Sequence, residues 1–226
     1  VNVNATCALA KAAATAGVKR ILLVSSIGVH GAITEENQSI TEGSPVTPSE
    51  PYARSKREAE EQLREISRDS GLDDVVLRPA LVAGAGAPGN LARLASLVRR
   101  GLPLPVPLRD NARSFVSLND LTSLMAHCLD HPAASGNTFV VADRQWASTR
   151  EVMQWVAEGA DARIRMIPLP DRFLRMAAGL AGKSELYAKL FGDLRVAATR
   201  IHTELSWEPE ESLADAVRAV GRGSRA

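Results

Sequence analysis

Aromatic residues are scarce in this sequence: four Phe, two Tyr and three Trp make up 4% of 226 residues. With an ordinary hydrophobic fraction of 45%, the core must be filled by Ala, Leu and Val. Charge of one sign is also lacking, since 27 basic residues face 26 acidic ones for a formal charge of +1. Without a basic stripe interleaved with aromatics, nucleic acid is not an expected partner. No apolar run approaches the ~20 residues that cross a bilayer, and nothing reads as a signal peptide. The two cysteines, Cys7 and Cys128, are too few for a disulfide framework. A reduced, cytoplasmic setting is therefore expected, with both thiols as small core hydrophobes. His127 and His131 share a helix face, but Pro132 ends that helix and no third ligand has a suitable spacing. No metal site is expected.

What is present reads as alternating helices and strands. Residues 2–16 form an Ala-rich helix stopped by Gly17. Residues 21–26 form a buried strand, and residues 31–49 a mobile loop rich in Gly, Thr, Ser, Asn and Pro. A helix is expected over 50–70, a strand over 74–82 and a helix over 90–100, with Arg93, Arg99 and Arg100 on its solvated side. Further on, strands are expected at 115–117, 138–142 and 163–167, and helices at 119–131, 148–158, 171–181 and 212–220. Trp207 reads as a core anchor.

The most informative residues are Ser26, just past the apolar run Ile21-Leu22-Leu23-Val24, and Tyr52-Ala53-Arg54-Ser55-Lys56. Residues four apart share one helix face, so a phenol and an ammonium enter the same space. An ammonium beside a phenol favours the phenolate, which can then serve as a base. A Tyr-x-x-x-Lys spacing alone also fits a solvated helix face. The Ser-Ser strand end upstream gives it weight, because α/β sheets place chemistry at the carboxyl ends of their strands.

Gly84-Ala85-Gly86-Ala87-Pro88-Gly89 matches a dinucleotide-binding glycine pattern, with Asp110 about twenty residues on. The would-be next strand, residues 102–107, carries three alternating prolines, which cannot donate to the ladder of a central parallel strand. The glycine loop is therefore expected to follow a late strand and to face the substrate.

Together with Asn2-x-x-x-Thr6, Ala16-Gly17-Val18-Lys19-Arg20, Leu77-Arg78-Pro79, Asn90, Asn111-x-Arg113-Ser114 and Leu205-Ser206-Trp207-Glu208-Pro209, these motifs run in one order along nearly the whole chain. In that order the sequence resembles the extended short-chain dehydrogenase/reductase family, in its epimerase/dehydratase branch. The resemblance implies an α/β fold: the C-terminal portion of a Rossmann-like doubly wound parallel sheet (residues 1–85) plus a small α/β substrate-binding lobe (residues 86–226), the two interleaved. It implies NAD or NADP as cofactor, with Ser26, Tyr52 and Lys56 catalytic and Ser25, Tyr52, Lys56 and Pro79 at the cofactor. Asn2, Asn90 and Arg113 are implied to contact the substrate. Such proteins open with a strand, a Gly-rich turn and a helix that holds the pyrophosphate. No such segment appears here, so the sequence reads as the C-terminal part of a longer enzyme, weak in NAD(P) binding and in stability when alone.

Substrate is read less sharply. His30-Gly31 and Ala83-Gly84 stand where relatives often have Tyr-Gly. A diphosphate-contacting Asn of nucleotide-sugar epimerases would fall at Leu81, which argues against a simple UDP-galactose epimerase. Residues 101–105 followed by 111–114 are similar to bacterial 4-epimerases and 4-reductases of surface-polysaccharide sugars, which implies a UDP- or lipid-diphosphate-linked sugar as the small-molecule substrate, and a homodimer as the assembly to test. A 3β-hydroxysteroid-type or small-carbonyl dehydrogenase and a catalytically silent relative are the alternatives.

Overall fold

The computed structural model describes residues 2–223. The chain runs α1 (Asn2–Thr15), β1 (Arg20–Val24), α2 (Pro51–Ser70), β2 (Asp73–Pro79), β3 (Leu81–Ala83), α3 (Asn90–Arg99), β4 (Leu104–Pro107), β5 (Arg113–Ser117) and α4 (Leu118–Asp130). It continues through β6 (Thr138–Val141), β7 (Trp146–Ala147), α5 (Thr149–Gly159), β8 (Met166–Leu169), α6 (Asp171–Leu180), α7 (Ser184–Phe191), α8 (Thr199–Thr203) and α9 (Leu213–Arg222). Among these residues no helix is long and apolar enough to cross a membrane.

Three parallel strands in the order β1-β2-β6 form the first sheet. Strand β2 is buried from Asp74 to Pro79, as a strand covered on both faces should be. Helix α2 begins with Pro51 in its first turn and closes on Gly71, whose φ of +74° is the left-handed conformation a helix C-cap favours. Its inward face, Ala53, Ala59, Glu60, Leu63 and Ser67, follows helical spacing. Ala10 of α1, Leu63 of α2, and Leu72 and Val76 at β2 form one core between them.

The second unit is built from β3, β5 and β7, with α3, α5 and α9 around them. A third, two-stranded ribbon pairs β4 with β8 in parallel. The prolines at 105 and 107 are tolerated there because each strand of a two-stranded ribbon is an edge and needs only one set of ladder bonds.

Several expectations are corrected. The expected strand over 74–82 is two strands, because the chain leaves the first sheet after Pro79 and β3 pairs with β5. Ser26 lies beyond the strand and caps a 3-10 turn, Ile27–His30, accepting a hydrogen bond from the Gly28 N–H at 3.1 Å. The loop 31–49 is pinned: Thr34 and Ile40 donate backbone N–H bonds to the Asp193 and Arg195 carbonyls, both at 2.8 Å, and Ile40 is buried. Helices α7 and α8 and strand β7 were not anticipated. Of the two thiols, Cys128 is buried as expected, but Cys7 is only half-buried, its Sγ facing Gln62 Oε1 between α1 and α2. Strand β6, from the chain's second half, completes the first sheet, so the lobes share segments across residue 86.

Helices α5 and α9 cross through two glycines. A Cβ at Gly159 would lie 2.0 Å from the Arg218 carbonyl oxygen, and one at Gly221 would lie 2.1 Å from that of Val156. No side chain moves out of the way of a backbone, so the helices must separate. Gly221→Ala is expected to lower stability by about 1–3 kcal/mol, the usual cost of overpacking a core, measured by urea denaturation. An unchanged midpoint would contradict this crossing.

Candidate active site

Ser26 and Tyr52 open onto one cavity of about 500 Å³, whose wall also includes Asn90, Arg113, Leu81 and Phe115. The Ser26 hydroxyl is placed by the 3-10 turn it caps. Tyr52, at the first turn of α2, is 55% exposed, so its phenol is open to anything that enters. One helical turn further, Lys56 Nζ lies 5.9 Å from the Tyr52 ring centre and donates to the Val24 carbonyl at 2.9 Å. This bond ties the helix to the end of β1. Burial lowers the Lys56 pKa, an effect that the Glu60 carboxylate partly opposes.

Beneath these residues is a buried polar network. Glu60, one further turn along α2, is 1% exposed and Arg78 of β2 is 4% exposed. Arg78 grips the carboxylate with two nitrogens, Nε to Oε1 at 3.0 Å and Nη2 to Oε2 at 2.6 Å. The Ser25 hydroxyl donates to the same carboxylate. Burial alone would raise the Glu60 pKa, but the hydrogen bonds from Arg78 and Ser25, with the charges of Arg78 and Arg57, hold it below the usual carboxylate range. Arg78 Nη1 lies 3.0 Å from His30 Nε2, and His30 Nδ1 lies 3.1 Å from the Pro45 carbonyl. A guanidinium can only donate, so Nε2 must accept and Nδ1 must carry the proton. His30 is therefore neutral, and burial keeps its pKa below the ordinary value.

Across the cavity, Arg113 starts β5 and is 5% exposed. Its Nη1 donates to the Gly192 carbonyl at 2.8 Å. Burial brings its pKa down to about 10, with Asp193 opposing the change, so it stays charged at neutral pH. The Asp193 carboxylate accepts from the Ala112 N–H at 2.8 Å and from Arg109 at 3.2 Å. At the rim, Lys189 of α7 pairs with Glu50, just ahead of Tyr52, at 3.0 Å.

Residues 1–142 match the NAD dependent epimerase/dehydratase family. The UDP-glucose 4-epimerase of Vibrio cholerae is 36% identical over 223 residues, covering 98% of this chain and 68% of that protein. This chain belongs to the NAD-dependent epimerase/dehydratase family. The N-acetyl-alpha-D-glucosaminyl-diphospho-ditrans,octacis-undecaprenol 4-epimerase of Escherichia coli O157:H7 is 26% identical over 172 residues, 75% of this chain and 51% of that one. Among solved structures, RMD from Pseudomonas aeruginosa, complexed with NADPH, has a TM-score of 0.76 at 24% identity, covering 97% of this chain and 72% of the other. It supports the Rossmann-type fold. The chain thus spans about half to two thirds of the curated relatives' length.

Set against this family, the sequence-read residues fall into two groups. Ser26, Tyr52, Asn90 and Arg113 line the cavity, and Lys56 stands directly behind Tyr52. The loop 84–89 also reaches it through Pro88 and Gly89. Ser25 and Pro79 are buried, and the Ser25 hydroxyl is occupied by Glu60. Asn2 lies on α1 and donates to Ser55 Oγ at 3.0 Å. His127 hydrogen-bonds the Leu205 carbonyl at 2.8 Å, and His131 caps a short turn. Trp207 is a core residue, as expected. Sequence reasoning missed Glu60, Arg78 and His30 as a network. The signal was available: Glu60 is the next i+4 position after Lys56, and Arg78 directly follows the apolar run Val75-Val76-Leu77. It also missed Lys189 and Glu50, which are far apart in sequence.

Arg78→Met would leave the Glu60 carboxylate buried without its guanidinium. The expected loss is about 3–5 kcal/mol in denaturation free energy, and adding Glu60→Gln should recover part of it. A loss below 1 kcal/mol would remove the pair from a structural role. His30 gives a separate pH signature. Its folded pKa is below the unfolded value of 6.5, so its contribution is complete above pH 6.5 and is lost as pH falls through 6.5 towards the folded value. Denaturation midpoints should show this acid limb in the wild type and a flatter one in His30→Gln. Parallel profiles would contradict the neutral, buried assignment.

Proposed function

We propose that this chain carries the catalytic and substrate-binding parts of an NAD(P)-dependent epimerase or reductase. The reaction is hydride and proton transfer at the C4 hydroxyl or ketone of a UDP- or lipid-diphosphate-linked sugar. The observation that carries the reading is the shared cavity: Ser26, Tyr52 and Arg113 face one space, with Lys56 fixed behind the phenol.

Tyr52 takes the proton from the sugar hydroxyl, or returns it to the ketone, and Ser26 hydrogen-bonds the same oxygen and orients it. Lys56 has three donors and spends one on Val24, which leaves two for the phenol side and for a ribose hydroxyl. These residues fit the nicotinamide end of the cofactor: Tyr52 and Lys56 would hold it, and Pro79 would shape its floor at the end of β2. A nicotinamide cofactor, when bound, exchanges hydride with the substrate carbon. We assign Ser25 to holding the strand end, since its hydroxyl is turned to Glu60. Arg113 and Asn90 bind the substrate, with the guanidinium suited to a pair of phosphate oxygens. Asn2 supports the catalytic helix from α1. Two free thiols fit a cytoplasmic setting, and a homodimer completes the proposal.

One observation favours a second reading. Much of the wall is apolar, with Leu81, Val82, Leu91, Leu94, Phe115 and Val152 among its residues. That surface would also suit a 3β-hydroxysteroid-type or small-carbonyl substrate. Turnover of sugar diphosphates and of apolar alcohols, measured side by side on the native full-length protein, separates the two.

In that protein Tyr52→Phe is expected to lower kcat by about 10²- to 10⁴-fold, the usual contribution of a positioned acid–base group, with cofactor affinity nearly unchanged by calorimetry. Unchanged turnover would remove Tyr52 from the base role.

A further inference from the structure

Helix α6 turns its apolar stripe outward. Phe173, Met176 and Leu180, at helical spacings of three and four, are 47%, 59% and 85% exposed, and no residue of the helix is buried. Leu174 and Ala178 on the other side are half-buried, where α6 contacts α7 and β4. A helix on a water-facing surface normally presents the reverse pattern. The exposure extends to the neighbouring ribbon: Leu108, bonded by its N–H to the Leu169 carbonyl at 3.1 Å, is 62% exposed, and Ile167 is 41% exposed. An exposed apolar stripe along one helix, continued on a neighbouring strand pair, marks an interaction surface.

Basic residues outnumber acidic ones along this part of the chain. Between residues 162 and 183 the sequence carries five basic residues and a single acid, Asp171, in a chain whose formal charge is +1 overall. Asp171 is already bound by Arg175 and by the Tyr187 hydroxyl. The Arg172 guanidinium lies 4.9 Å from the Phe173 ring centre, along the edge of the stripe.

We propose that this face docks on an anionic phospholipid surface. Phe173, Met176 and Leu180 enter the boundary between headgroups and acyl chains, while Arg172 and Lys183 meet lipid phosphates. A second copy of the chain fits less well, because a two-fold contact through this face would set the same basic residues against each other. Helix α7, packed on α6, carries Lys189 and Leu190 into the cavity wall. Docking therefore brings the cavity close to the headgroup layer, where a sugar on a lipid diphosphate would be presented. This last step rests on the proposed function, whereas the docking itself does not.

The test is flotation of the full chain with vesicles of phosphatidylcholine alone and of phosphatidylcholine mixed with phosphatidylglycerol. Binding is expected only to the mixed vesicles, weakening steeply with added salt, and reduced at least tenfold in Met176→Glu/Leu180→Glu. Both side chains are exposed, so the variant should keep the wild-type circular dichroism and melting curve. Absence of binding to anionic vesicles, or equal binding by the variant, would overturn the proposal. So would lipid-free self-association that the variant abolishes, which would make the face a contact between copies. Docking combined with turnover of UDP-linked sugar alone would keep the membrane surface and remove the lipid-linked substrate.

Discussion

A carboxylate and a guanidinium buried together beneath the strand ends hold the framework on one side of the cavity. Glu60 belongs to the helix that carries Tyr52 and Lys56, and Arg78 to the central strand of the first sheet. Neither charge has water to fall back on, so each depends on the other and on a shared set of hydrogen bonds. Through them the helix is registered against the sheet, Ser25 is fixed at the end of β1, and His30 is held where the 3-10 turn meets the loop 31–49. Ser26 lies between two of these anchored residues. Its hydroxyl position is thus a consequence of packing two residues deep.

The same logic extends to the opposite wall. Arg113 is placed by the carbonyl of Gly192, in a segment that also holds the loop 31–49 through Asp193 and Arg195. That segment touches both sides of the cavity, so the distance between the Tyr52 side and the Arg113 side is set by backbone hydrogen bonds. A molecule entering between them meets one phenol and one guanidinium that is charged at neutral pH, in a largely apolar space where electrostatic contacts are strongest.

Much of this was legible in the sequence where a residue type answers to local rules. The helix carrying Tyr52 and Lys56 and the Gly17 stop follow from spacing and capping. The strand over 74–82 was over-extended because Leu81, Val82 and Ala83 are as apolar as the residues before them, and only their pairing with β5 shows that they belong to another sheet. The loop 31–49 looked mobile because its composition is that of a loop, while its anchors lie some 160 positions away, as in the Arg195 N–H bond to Thr34 Oγ1. Lys189 and Glu50 were invisible for the same reason. Arg78 is the instructive case: its neighbours identify the strand as buried, so the charge required a partner, and Glu60 was the carboxylate on the adjoining helix face.

Amide hydrogen exchange in Glu60→Gln reads this dependence residue by residue. The Ser25 N–H, bonded to the Leu77 carbonyl at 2.7 Å, and the Gly28 N–H, bonded to Ser26 Oγ at 3.1 Å, are expected to lose protection. They should exchange tenfold faster or more, while amides in α5 and α9 keep theirs. Unchanged protection at Ser25 and Gly28, or an equal loss throughout the chain, would show that the buried pair does not set the geometry of Ser26.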